Sequence, residues 1–220
     1  MKMHGDPLVS DYSRDVLEIR QVVENWAVWR DSGAWEKFAS VWHDDGYMSA
    51  TWFQGSARDF IDASRQGFAN GVRVSHFLGG TAVEVTGTRA VSQTKMTITQ
   101  RVDLEGVEVD VVCTGRFYDF MERRNGVWAI VRRQPIYEQD RLQAVDPSAS
   151  VELDQTLLAK FPVGYRYLAY VQTANGMQVA QGEAELPGLV GAAVERLYDE
   201  GRAWLSGSIS AGVPVAPQSM

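Results

Sequence analysis

Acid–base chemistry at neutral pH would begin at a histidine, and the sequence has three: His4, His43 and His76. His76 lies in Val74-Ser75-His76-Phe77-Leu78, an apolar segment of strand character. Strand alternation places it on the same face as Val74. Two roles suit such a residue. It can be a core imidazole satisfied by a backbone carbonyl. It can instead be a general base, which needs a carboxylate to orient it and stabilise its charge. Asp31, at the end of a Trp-rich helical segment, is a candidate for that carboxylate. Asp31-Ser32 before Ala34 also suits a helix N-cap, so Asp31 keeps two readings as well. His43-Asp44-Asp45 brings a metal to mind, but adjacent residues rarely converge on one ion. A solvated turn is the expectation there, and no metal site is assigned. His4 lies on an N-terminal arm.

Other side chains offer less. Arg116, on a strand between Gly115 and Phe117, could hold an anionic or phenolic oxygen in a pocket or pair with a neighbouring carboxylate. Tyr47 and Trp52 could line a cavity or fill a core. Arg123-Arg124 flank a hairpin turn and are expected in solvent. Cys113, in an apolar run, is expected to be a buried, inert thiol. Gly79-Gly80 is followed by no phosphate-loop Lys. There is no Rossmann fingerprint and no Gly-x-Ser-x-Gly elbow.

These residues need elements to hold them. Leu17, Ile19, Val22, Val23, Trp26 and Ala27 give the apolar spacing of a helix over 13–30. Residues 1–10 are expected to be a flexible arm. A second short helix is predicted over 34–42, a turn at 43–46 and a strand over 47–53. Ser56-Ala57-Arg58-Asp59 starts a third helix, which ends near Asn70-Gly71. Four strands follow, over 72–85, 88–102, 107–122 and 127–137. The last two are joined by Asn125-Gly126, a strong hairpin signal. Asp146-Pro147 marks a break. A helix is predicted over 189–205, and a disordered tail near 208–220. The expected division is a domain over 1–145 and a C-terminal extension over 146–220, packed on that domain or on a neighbouring subunit.

Composition narrows the function classes. The 220 residues carry 21 Lys and Arg against 28 Asp and Glu, a formal charge of −7, which argues against a binder of nucleic-acid backbones. One Cys excludes a disulfide framework and a Cys-based zinc site. No apolar run approaches the ~20 residues of a membrane helix, and the N-terminus lacks a secretory signal. A cytoplasmic protein without membrane partners is the expectation. Five of the seven Trp fall between Trp26 and Trp52, bracketing Asp31.

The stretch Trp26-Ala27-Val28-Trp29-Arg30-Asp31-Ser32-Gly33-Ala34-Trp35 through Trp42-His43-Asp44-Asp45-Gly46 resembles the opening of the SnoaL-like branch of the NTF2-like superfamily. Glu122-Arg123-Arg124-Asn125-Gly126-Val127-Trp128 resembles that family's closing hairpin. The resemblance covers about residues 10–142. It implies an α+β fold, a cone-shaped barrel in which a curved, mostly antiparallel sheet wraps around helices and leaves a deep pocket. Two members, scytalone dehydratase and hexachlorocyclohexane dehydrochlorinase, are cofactor-free lyases with an Asp ending the first helix and a His on a strand after the third. Asp31 and His76 match those positions. The dehydratase also uses two Tyr and a second His. Tyr47 matches one Tyr, and no second strand His exists here.

By resemblance, then, the expected function is a lyase without cofactor, of dehydratase or C–C cleavage type, in the catabolism of a small apolar, aromatic or polycyclic molecule. His76 and Asp31 would be its catalytic pair. Trp29, Trp42, Tyr47, Trp52 and Arg116 would be its substrate-binding residues. Isomerase or cyclase chemistry, and a non-catalytic binding or assembly module, are the alternatives the same family offers. Relatives imply a homo-dimer or homo-trimer.

Overall fold

The computed structural model describes residues 7–209. Residues 1–6 of the expected arm and 210–220 of the expected tail lie outside it. Two helices come first, α1 over Pro7–Asp31 and α2 over Trp35–Ala39. Then come β1 (Trp42–Ser49), β2 (Gln54–Ser56) and α3 (Ala57–Ala69). The long strands β3 (Val74–Thr86), β4 (Arg89–Leu104), β5 (Val107–Arg124) and β6 (Val127–Ala144) form a meander. One six-stranded sheet results, in the order β2-β1-β6-β5-β4-β3. Among the six strands of the described residues, β1 and β6 are the pair that runs parallel, and an isolated parallel bridge joins Tyr137 to Gly188. The fold is α+β as expected, but the sheet is curved and open rather than a closed barrel, with β2 and β3 as free edges.

Local chemistry explains these elements. The inner stripe of α1 is Ile19, Val23, Trp26, Ala27 and Arg30, all buried, at helical spacing. Leu17, counted above with the apolar face, is exposed. The helix also extends back to Pro7, into the segment expected to be a flexible arm. Ser56 caps α3 by accepting the Asp59 amide at 3.1 Å. Asn125 and Gly126 both have positive φ, 52° and 82°, as a tight hairpin turn requires. The segment 43–46, expected to be a turn, lies inside β1. A register shift between Trp42 and Tyr47 absorbs its polar residues while the strand continues. Bulges at Leu78/Thr81, Thr114/Gly115 and Phe120/Met121 bend the sheet. At Gly115 a Cβ would collide with the Ile136 carbonyl oxygen, so only glycine lets β5 and β6 approach there.

Residues after β6 cover both faces of the sheet. Short helix α4 (Gln155–Leu158) and α5 (Arg166–Ala174) close the inner face, the side that α1 and α3 also occupy. Tyr165, Leu168, Ala169 and Val171 are buried there. Asp140 fixes the start of α5 by accepting the Tyr167 and Leu168 amides at 2.6 and 2.9 Å. After a 3-10 turn at Gly182–Ala184, α6 (Ala192–Leu205) packs on the outer face. Val194, Leu197 and Trp204 meet Val91, Phe120 and Val131 there, and the Trp204 indole donates to the Ala90 carbonyl at 3.1 Å.

Candidate active site

β3 is an edge strand, so half of its amides have no neighbouring strand to bond. The C-terminal end of α1 lies against it. Asp31, the last residue of α1, takes up this capacity at one position. Its Oδ2 accepts the His76 backbone amide at 2.6 Å, and its Oδ1 accepts from His76 Nδ1 at 2.7 Å. Two bonds to one residue fix both the position and the ring plane of the imidazole. The N-cap of α2 is Ala34, so Asp31 does not serve as a helix cap. With the Nδ1 proton given to Asp31, Nε2 is left as an acceptor and has no protein partner among the described residues.

The imidazole is held between aromatic rings. Trp26 meets it edge-on at 5.1 Å between centroids, and Phe117 lies at 6.0 Å. Both rings are braced from behind by Arg133, whose guanidinium stacks 4.2 Å from Trp26 and 4.0 Å from Phe117. Arg133 in turn forms a two-bond ion pair with Asp119, at 2.6 and 2.7 Å, with both side chains fully buried. Burial pushes the His76 pKa below its ordinary value of 6.5, and the Arg30 and Arg133 cations push the same way. Asp31 opposes the shift through its hydrogen bond and its charge. The outcome is a neutral imidazole at neutral pH, with a lone pair on Nε2.

His76 faces a cavity of about 50 Å³. A second cavity of about 70 Å³ adjoins it, sharing Arg30, Trp52, Val74, Gln100 and Gln172 as walls. Each is small beside the ~150 Å³ apolar cavity that holds benzene in an engineered protein. The roof comes from the C-terminal extension. Gln172 of α5 accepts a hydrogen bond from Thr51 Oγ1 at 2.7 Å, and Leu168 lies beside it. Tyr137 of β6 also lines the space, its phenol held well above its ordinary pKa by burial.

Of the substrate-binding residues expected from sequence, Trp52 lies on both cavities. The others lie elsewhere. Arg116 projects from the outer face, donating to Glu138 at 2.7 Å, Gln93 at 2.8 Å and the Tyr198 hydroxyl at 2.6 Å. Strand alternation is the reason, since its neighbour Phe117 is the one turned inward. Tyr47 is opposed in the same way to Met48, which lines the cavity. Trp42 lines a separate surface groove of about 330 Å³ with His43, and Trp29 packs against the core without reaching the cavity. His43 Nε2 is 2.8 Å from the Glu122 carbonyl oxygen. Arg123 and Arg124 are not free in solvent: they pair with Asp15 and Asp45, each at 2.7 Å. Cys113 is buried, with its thiol pKa pushed up by burial.

Sequence reasoning missed Arg30, Trp26, Phe117, Tyr137 and Gln172. The first two were findable, because Trp26 and Arg30 continue the buried stripe of α1 from Ile19 and Val23. No local signal places Tyr137 or Gln172 beside His76. Among the described residues no helix is long and apolar enough to cross a membrane. Among them also, no group of three or more His, Cys, Asp or Glu could hold a metal ion.

Comparison with known proteins bears on this arrangement. Residues 11–134 match the family model of the SnoaL-like domain. Pea pathogenicity protein 2 of Fusarium vanettenii is 40% identical over 167 residues, which cover 74% of this chain and 72% of that protein. A PEP2-like protein of the same fungus is 35% identical over 202 residues, covering 87% and 85%. Among solved structures, a Novosphingobium aromaticivorans protein assigned as a scytalone dehydratase superposes with a TM-score of 0.53 at 18% identity. That match covers 66% of this chain and 99% of the other. A type 2 hexachlorocyclohexane dehydrochlorinase gives 0.55 at 14% identity, covering 65% and 98%. At these identities the likeness is one of fold. The family match and the fungal relatives go further: this chain belongs to the SnoaL-like family of the NTF2-like superfamily, whose fold includes dehydratases and other lyases.

Proposed function

We propose that the protein is a cofactor-independent lyase in which His76 Nε2 removes a proton from a small, largely apolar substrate. One observation carries the reading. A single carboxylate, Asp31, holds both the amide and the Nδ1 of His76, so that Nε2 is aimed into a cavity. Asp31 selects the tautomer and stabilises the imidazolium that forms. The aromatic walls of Trp26, Trp52 and Phe117 suit a planar, conjugated substrate. The volumes favour a single ring or a short chain over a polycyclic compound, with α5 shifting on entry. A non-catalytic binding module has no need of the Asp31–His76 bond, whose 2.7 Å length supports the enzymatic reading.

The test follows the proton and needs no knowledge of the product. The protein is incubated in deuterated water with a panel of β-hydroxy ketones and β-chloro ketones, with and without a ring. Deuterium entry at the acidic carbon, and loss of water or hydrogen chloride, are read by mass spectrometry. Exchange with elimination is the expected result. Both should fall by ~10²–10⁴ in His76→Ala and in Asp31→Asn. Exchange with rearrangement but no elimination would assign the same base to an isomerase. Undiminished exchange in His76→Ala would overturn the reading.

A further inference from the structure

The polar groups around the cavity are unequal in kind. Arg30 is buried, 9% exposed, and lines both cavities. Its Nε has no hydrogen-bond partner among the described residues. Its ion pair with Asp31 measures 3.6 Å, longer than a hydrogen bond. Asp31 cannot readily come closer, because both its oxygens are already held by His76. A buried guanidinium with an unpartnered Nε carries a cost. Among the described residues Arg132, Arg133 and Arg166 also have an unpartnered buried donor, and Arg30 is the one of these four that lines the cavity beside His76.

Gln172 adds to the same count. Its carbonyl oxygen accepts from Thr51, which leaves its amide N–H groups for the cavity that it shares with Arg30. Donors thus converge from α1 and α5, while His76 Nε2 on β3 is an acceptor.

Resting on the reading of His76 as the base, we propose that the substrate of this cavity carries a carboxylate, seated on Arg30 and the Gln172 amide, with its acidic carbon turned to His76 Nε2. The carboxylate is the recognition handle and is not altered in the reaction. Arg30 holds it by charge-assisted hydrogen bonds, and these fix which carbon meets the base.

Paired probes test the handle without any turnover. Acetate, crotonate and benzoate are each titrated against the matching amide: acetamide, crotonamide and benzamide. Tryptophan fluorescence reports occupancy, since Trp26 and Trp52 line the cavity. The His76 ring NMR signals localise the binding. At least one carboxylate should bind about tenfold or more tighter than its amide and move the His76 signals. Arg30→Gln should erase that preference, and Arg30→Lys should keep part of it. The proposal fails if no carboxylate outbinds its amide in the wild-type protein, whether or not the variants fold. It fails equally if Arg30→Gln keeps the full preference. Loss of the base reading is seen separately, as undiminished deuterium exchange in His76→Ala.

Discussion

On the outer face of the sheet Arg116 spends its donors on Glu138, Gln93 and Tyr198. On the inner face Arg30, also withdrawn from water, has an unpartnered Nε and only a long ion pair to Asp31. The outer face is covered in part by α6, whose Trp204 and Leu197 pack against β4, β5 and β6, with an open groove of about 240 Å³ left beside Tyr118 and Tyr198. The inner face leaves two small cavities next to an imidazole fixed on one side and free on the other. One sheet therefore carries two kinds of surface. On the outer face Arg116 and Arg132 are held by the carboxylates of Glu138 and Glu200, although Arg132 Nε has no hydrogen-bond partner among the described residues, and apolar groups find contact, so the face contributes to stability. On the inner face His76 is positioned beside the cavities with one ring nitrogen left without a protein partner among the described residues, which is the arrangement the proposed function uses. The C-terminal extension serves both: α5 roofs the cavity and α6 covers part of the other side.

Mutations should separate the two faces. The largest expected effect is on the inner face: His76→Ala or Asp31→Asn lowers proton abstraction by ~10²–10⁴ while circular dichroism is unchanged. On the outer face Trp204→Ala should cost ~3–5 kcal/mol of stability, measured by urea unfolding, with the rate per folded molecule retained. A catalytic defect in the folded Trp204→Ala protein would break the comparison. Between the faces, Asp140→Ala removes the acceptor that starts α5 and should cost ~1 kcal/mol. Hydrogen exchange of the α5 amides should speed up, and Asp140→Asn, which keeps an acceptor, should lose less. The smallest effect is a dependence on pH. The His76 pKa is depressed in the folded state, so the unfolded chain binds the extra proton first as pH falls. Its contribution is therefore intact above 6.5 and declines as the pH falls from there through the folded-state value. His76→Gln should flatten that part of the stability curve.

Much of this was legible in the sequence, for physical reasons that differ by residue. Strand alternation and the Asn125-Gly126 turn specify the meander, because period and turn geometry are local properties. Asp31 and His76 were proposed as partners through resemblance, since no spacing rule joins residues 45 apart. Their hydrogen bond depends on α1 lying along an edge strand. Arg116 illustrates a one-residue error of facing: the alternation of β5 runs unbroken from Val109 through Phe117 and turns Arg116 outward, and the extra residue of the nearby register shift is Glu138 on β6. Arg30 was overlooked because a charged residue in a buried stripe reads as the end of the helix. Gln172 could not be found from sequence, because only tertiary packing brings α5 over Thr51.

The account turns on the state of one imidazole, and long-range proton–nitrogen correlation NMR of His76 measures it directly. At about pH 7 the ring should be neutral, with its proton on Nδ1 and none on Nε2, and its titration midpoint should lie below 6.5. A proton on Nε2, or an imidazolium that persists above 6.5, would contradict the assignment of His76 as a base poised toward the cavity.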